Sequence, residues 1–117
     1  MEIVRTSVYS KSLKRLRKLG ASDEDIAAME QVIVADPKVG DVIAQSGGLR
    51  KLRFAFAQSG KRGGGRTIYY AWTSAETVIL ITAYPKVDKE DITPEERKLF
   101  AKLIKELISD QEDETRS

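Results

Sequence analysis

Apolar residues recur along this chain with two different periods, and the change of period divides it. Glu2 to Thr6, with Ile3 and Val4, fits a short strand. From Ser12 the spacing turns helical: Leu13, Leu16 and Leu19 fall at i, i+3 while Lys14, Arg15, Arg17 and Lys18 occupy other positions, and Gly20 reads as the stop. A second helix follows, with Ser22 as N-cap, Asp23, Glu24 and Asp25 in the first turn, a stripe of Ile26, Met29 and Ile33, and an end at Asp36-Pro37. So short a connection makes the two helices a hairpin.

After the glycines at 40, 47 and 48 the period falls to two. Leu52, Phe54 and Phe56 share one face of a strand read over Leu49 to Ala57, and Lys51, Arg53 and Ala55 share the other. Gln58 to Gly65 is a glycine-rich connection carrying Lys61 and Arg62. Arg66 to Thr73 and Thr77 to Tyr84 are rich in β-branched and aromatic residues, and Ser74-Ala75-Glu76 joins them as a hairpin that Pro85 closes. Thr93-Pro94-Glu95-Glu96 opens a last helix with an N-cap, a proline at N1 and a glutamate at N3, followed by a stripe of Leu99, Phe100, Leu103, Ile104, Leu107 and Ile108. The fold class is therefore α+β: an N-terminal helix hairpin, an antiparallel sheet of three to four strands, and a C-terminal helix packed on the sheet. Residues 1–109 form one domain in this reading, and the acidic tail 110–117, with nothing to bury, is expected to be disordered.

Composition narrows the chemistry. With 117 residues the chain is long enough for one domain that buries about two thirds of its unfolded surface, so no disulfide or metal staple is required. It contains no cysteine and no histidine. That excludes thiolate catalysis, cysteine zinc sites and every nucleophile activated by histidine. Aliphatic runs such as Val78-Ile79-Leu80-Ile81 fall far short of the roughly 18 residues of a spanning helix. A cytoplasmic protein without a membrane partner is expected.

The net charge of +2 is unevenly distributed. Residues 1–86 hold fourteen basic and eight acidic side chains, whereas 87–117 hold six basic and ten acidic. No carboxylate lies between Asp41 and Glu76, a stretch that contains Arg50, Lys51, Arg53, Lys61, Arg62 and Arg66. Such a segment suits a polyanion, and it equally suits an edge strand kept soluble by its cations. The glycine segment is not a phosphate-binding loop, because Arg62 follows Lys61 and a strand follows both. Asp88, Glu90 and Asp91 lack the spacing of a calcium loop and, with Lys86 and Lys89 interleaved, read as a solvated turn rather than a metal site.

In a meander, Lys51, Arg53, Lys61, Arg62 and Arg66, with Tyr84 and Lys86 at the end of the last strand, can converge on one concave sheet surface. Cleavage of RNA by its own 2′-hydroxyl suits such a set, since it needs positioning, charge stabilisation and proton transfers but no enzyme nucleophile, metal or cofactor. Arginine is the natural phosphate clamp. Without histidine, the proton acceptor has to be a tyrosine or a lysine surrounded by cations.

Gly48-Leu49-Arg50-Lys51-Leu52-Arg53, Gly60-Lys61-Arg62-Gly63-Gly64-Gly65-Arg66 running into Thr67-Ile68-Tyr69-Tyr70, Ala83-Tyr84-Pro85-Lys86, and Asp91-Ile92-Thr93-Pro94-Glu95-Glu96 together resemble the HigB-type branch of the RelE/ParE toxin superfamily. The resemblance covers nearly the whole chain apart from the acidic tail. It implies a toxin neutralised by a cognate antitoxin, HigA-like and carrying a helix-turn-helix, and a ribosome-dependent endonuclease that cuts translated mRNA without metal. It further implies that Arg66, Lys51, Arg53, Tyr84 and Lys86 form the catalytic set, while Arg50, Lys61 and Arg62 contact mRNA or ribosomal RNA. ParE-like gyrase poisons share the fold, and a cationic sheet that only binds a partner or a nucleic acid is the non-enzymatic alternative.

Overall fold

A computed structural model describes the backbone over residues 1–57 and 64–116, with side chains described as far as Asp110. The elements are β1 (Glu2–Arg5), α1 (Ser7–Lys18), α2 (Asp23–Ala35), β2 (Asp41–Val42), β3 (Leu49–Phe54), β4 (Gly65–Trp72), β5 (Thr77–Pro85) and α3 (Pro94–Arg116). The five strands form one mixed sheet in the order β1-β5-β4-β3-β2. β3, β4 and β5 are the antiparallel meander read from the sequence, β2 adds an antiparallel pair at one edge, and β1 pairs parallel with β5 at the other.

Local chemistry sets the helix ends. Thr6 caps α1, its Oγ1 accepting from Tyr9 N at 3.0 Å and donating to Ile81 O at 2.9 Å, so the cap also fastens the helix to β5. The helix therefore begins five residues before Ser12, and its buried stripe is Tyr9, Leu13 and Leu16, with Leu19 left exposed at the C-cap. Gly20, at φ +106°, closes it: its N–H donates to Arg17 O and that of Ala21 to Leu16 O, both at 3.0 Å, which is the Schellman pattern. Ser22 and Asp25 cap α2 reciprocally, as Thr93 and Glu96 cap α3. α3 continues to Arg116, so helical backbone runs past Ser109, where a disordered tail was expected to start.

The sheet is covered on both faces. α1 and α2 supply Tyr9, Leu13, Leu16, Ile26, Met29 and Ile33 to a core completed by Leu52, Tyr69, Val78 and Leu80. On the other face Phe100 and Ile104 of α3 pack against Leu49, Ile68, Ile79, Ile81 and Tyr84. β5, covered from both sides, is buried along its whole length. The strand thus reads as an unbroken β-branched and aliphatic run.

One irregularity in the sheet matters for function. The β4–β5 register slips between Ile68, opposite Thr82, and Tyr69, opposite Leu80, which leaves Ile81 as an extra residue in β5. Before the slip, Val78 and Leu80 face α1 and α2; after it, Ala83 takes that face and Tyr84 turns toward the α3 side. Without the extra residue the strict alternation of a strand would bury Tyr84 under the helix pair.

Candidate functional site

Because of that slip, Arg53 of β3, Arg66 of β4 and Tyr84 of β5 stand in one cross-strand row: Arg53 is the register partner of Arg66, and Arg66 that of Tyr84. Lys51 lies on the same face of β3, opposite Ile68 in the next row. Four of the five residues expected to be catalytic from the sequence are therefore neighbours. The fifth, Lys86, sits exposed one residue beyond β5, its backbone N–H donating to Gly64 O at 3.1 Å.

The row has graded exposure. The Arg66 side chain is 6% exposed, that of Lys51 13% and that of Arg53 61%. Arg66 is held from below by Nη1 donating to the carbonyl of Gly65 at 2.9 Å, which turns the Nε and Nη2 edge of its fork outward. The glycines before it are required by packing. At Gly64, φ is +70° and a Cβ would come within 2.0 Å of Phe54 O.

The outward edge of Arg66 is engaged. Its Nε and Nη2 donate to the Glu90 carboxylate at 2.9–3.3 Å, Arg53 Nη2 reaches the same carboxylate at 3.5 Å, and Lys51 Nζ lies 3.9 Å from it while donating to Asp91. Two arginines directly opposite on neighbouring strands repel. Glu90 relieves that repulsion, and the hydrogen bond from Arg66, with smaller help from Lys51 and Arg53, holds its carboxyl below the usual range despite some desolvation.

Asp88, Glu90 and Asp91 lie in a largely exposed turn, as expected, and each of them also pairs with a cation. Asp88 accepts the Arg15 fork at 2.9 and 3.1 Å, tying α1 to the connection between β5 and α3. The absence of carboxylates from 42 to 75 describes the sequence but not the space around the row, which residues 90 and 91 fill from the connection between β5 and α3. The signal that could have revealed them was their place a few residues after Tyr84, at the strand end the row occupies.

Tyr84 is nearly buried, with its hydroxyl donating to the backbone oxygen of Glu90 at 3.1 Å and Lys89 Nζ 5.0 Å above its ring. Burial, reinforced by Asp91, raises its pKa above the ordinary value of 10.0. At neutral pH this phenol holds its proton and can act only as a donor. A cleft of about 400 Å³ opens beside the row, lined by Lys51, Arg53 and Arg97 together with Asp41, Asp91 and Ile92.

The remaining candidates fall elsewhere. Arg50 points to the opposite face, where its Nη1 donates to Lys38 O at 3.1 Å and Gly40 O at 2.7 Å, so the structure uses it to secure the chain between α2 and β2. Lys61 and Arg62 lie outside the described residues. Among the described residues no group of three carboxylates is placed to hold a metal ion, and no helix is long and apolar enough to cross a membrane.

Comparison with known families agrees with the fold. The sequence matches the family described as "RelE toxin of RelE / RelB toxin-antitoxin system" over residues 3–116, a span that takes in the helix pair, the mixed sheet and α3. The chain belongs to the RelE toxin family and is the toxin of a toxin–antitoxin system.

Proposed function

We propose that this toxin is a ribosome-dependent mRNA endonuclease of the HigB-type branch, acting in the cytoplasm and neutralised by a HigA-like antitoxin with a helix-turn-helix. The observation that carries the reading is the row of Arg53, Arg66 and Tyr84 with Lys51 beside it, four polar groups from three adjacent strands on one face of the sheet, of which Lys51 and Arg53 line the cleft.

In the reaction the RNA 2′-oxygen attacks the adjacent phosphorus and gives up its proton. The P–O5′ bond breaks as the departing 5′-oxygen gains a proton, leaving a 2′,3′-cyclic phosphate and a 5′-hydroxyl. Arg66, whose base is fixed by Gly65 O, grips the phosphate through two donors and stabilises the charge of the pentavalent transition state, with Arg53 flanking it. Lys51 takes the proton from the 2′-hydroxyl only as the neutral amine, after giving its own proton to solvent. Tyr84, kept protonated by burial, supplies the proton to the leaving oxygen. Lys86, Arg50, Lys61 and Arg62 serve as contacts to mRNA or ribosomal RNA, by charge rather than by base reading.

The test is purified protein added to translating ribosomes, with primer extension on the message. Wild type yields discrete cuts, and Arg66→Ala reduces cleavage by at least about 100-fold, the usual scale for removing a principal transition-state donor. Intact message with both proteins refutes the assignment; a gyrase poison of ParE type would give that result and arrest DNA supercoiling instead.

A further inference from the structure

Lys51, Arg53 and Arg66 are already paired with the protein's own acidic side chains. The geometry points to a built-in anion surrogate: we propose that the Glu90 carboxylate occupies the position of a substrate phosphate, with Asp91 covering Lys51, so that a polyanion enters the row only by displacing both. The inference rests on the cationic row being the polyanion site proposed above, and it assigns that site's phosphate position and its gate.

Three observations support it. Glu90 accepts from Arg66 Nε and Nη2 together, the two-donor grip that arginine gives a phosphate, and Arg53 converges on the same oxygen. Arg66 is otherwise enclosed, so no second anion can reach its outward edge while Glu90 is there. Finally, the surrogate side chains can leave without a change of fold. Glu90 is 39% exposed and Asp91 70%, whereas the backbone on either side is pinned by Asp88 to Arg15, by the Glu90 carbonyl to Tyr84, and by Lys89 to both oxygens of Glu96 at 2.8 Å. The gate is therefore a rotation of two side chains about a fixed loop.

A protein whose binding-competent form is a minor population binds more weakly by that fraction. Removing the charge of Glu90 while keeping its shape should restore the difference. The probe is a fluorescein-labelled oligo-dT, which lacks the 2′-hydroxyl and so reports binding without cleavage, read by anisotropy. Glu90→Gln is expected to bind about tenfold more tightly than wild type, and Asp91→Asn about threefold. Glu106→Gln removes an equal charge from an exposed position on α3 and should change affinity less than twofold. Adding Arg66→Ala to Glu90→Gln should abolish the gain, because the liberated donor is then gone.

Equal tightening by Glu90→Gln and Glu106→Gln, survival of the gain without Arg66, weaker binding by Glu90→Gln, or no binding by either protein each overturns the proposal. Urea midpoints for every variant confirm that folded proteins are compared. If Glu90→Gln tightens binding through Arg66 but wild type leaves mRNA intact on ribosomes, the anion site and its gate stand and the endonuclease reading falls. If wild type cuts mRNA and Glu90→Gln binds no better, the reverse holds.

Discussion

Glu30 offers the sharpest quantitative test of the scaffold, because one buried carboxylate joins three elements. It lies in α2, accepts Arg5 of β1 through Nε at 3.1 Å and Nη2 at 2.6 Å, and accepts the hydroxyl of Tyr9 of α1 at 2.6 Å. Glu30→Ala removes all three bonds with unequal consequences. The Arg5 side chain is 47% exposed, so water replaces most of what its fork loses, and that part costs about 1 kcal/mol. The Tyr9 hydroxyl is fully buried and left without an acceptor, which costs a further ~2 kcal/mol. The expected total is about 3 kcal/mol, against about 1.5 kcal/mol for Tyr9→Phe, which deletes one charged hydrogen bond and orphans no donor. The double variant should lose less than the sum, since the stranded hydroxyl is absent from it. With a urea m-value of about 2 kcal/mol/M, Glu30→Ala lowers the midpoint by roughly 1.5 M at unchanged m. The pH dependence follows from the same triad. Burial raises the Glu30 pKa, but the bonds from Arg5 and Tyr9 outweigh it and hold the carboxyl below its ordinary 4.5, so its stabilisation is present above that value and is lost as pH falls through the lower, folded one. Tyr9 runs the other way: burial, then the Glu30 bond, raises its pKa, so its contribution is complete below pH 10.0 and is lost above it. Additive single-variant losses, or losses under about 0.5 kcal/mol for both, refute this reasoning.

Gly40→Ala would bring a Cβ to 2.9 Å from both Cε1 and the hydroxyl of Tyr69 and to 3.0 Å from Lys51 O; we expect a loss of about 1–3 kcal/mol in urea unfolding, because that hydroxyl also bridges Gly40 N and Pro37 O. For Tyr84→Phe, mRNA cleavage should fall about 100-fold at neutral pH with little change in oligonucleotide affinity, and the ratio of wild-type to variant rates, in which the ribosome's own titration cancels, should stay constant from pH 6 to 9 and decline only above about pH 10. A ratio that changes near pH 7 would remove Tyr84 from the proton-donor role.

Signals confined to a few neighbouring residues were legible from sequence. Ser22 with Asp25 and Thr93 with Glu96 specify helix starts in four residues each, and the alternation of Leu52 and Phe54 with Lys51 and Arg53 specifies both the strand and its two faces. The failures all depend on partners distant in the chain. Thr6 caps α1 while also donating to Ile81, and Ser12, inside the helix rather than at its start, accepts from Ala83 N at 3.0 Å; nothing near residue 6 announces either bond. β1 was legible as a strand from Ile3 and Val4, but its parallel pairing with residues 77–80 is a contact no local period encodes. β2 is only two residues, too short to show alternation. Arg50 stands apart from the row because alternation alone puts it on the face opposite Lys51, where it bonds Lys38 O and Gly40 O.

The same separation between sequence and space explains the site. A run of cations without carboxylates looks like an open binding surface only when counterions are sought nearby in the chain. In the folded sheet, Arg53 and Arg66 stand opposite one another, and one of them is almost sealed from water; an uncompensated pair of that kind would oppose the register that creates it. Some anion must therefore be present while the toxin folds without substrate, and Glu90 supplies it from the first connection that reaches the row after β5 is laid down. The compensating group then competes with whatever anion the row is meant to bind. Mutations that weaken the surrogate should consequently trade stability for affinity, whereas mutations of the Asp88–Arg15 anchor, which never touches the row, should alter stability without tightening anion binding.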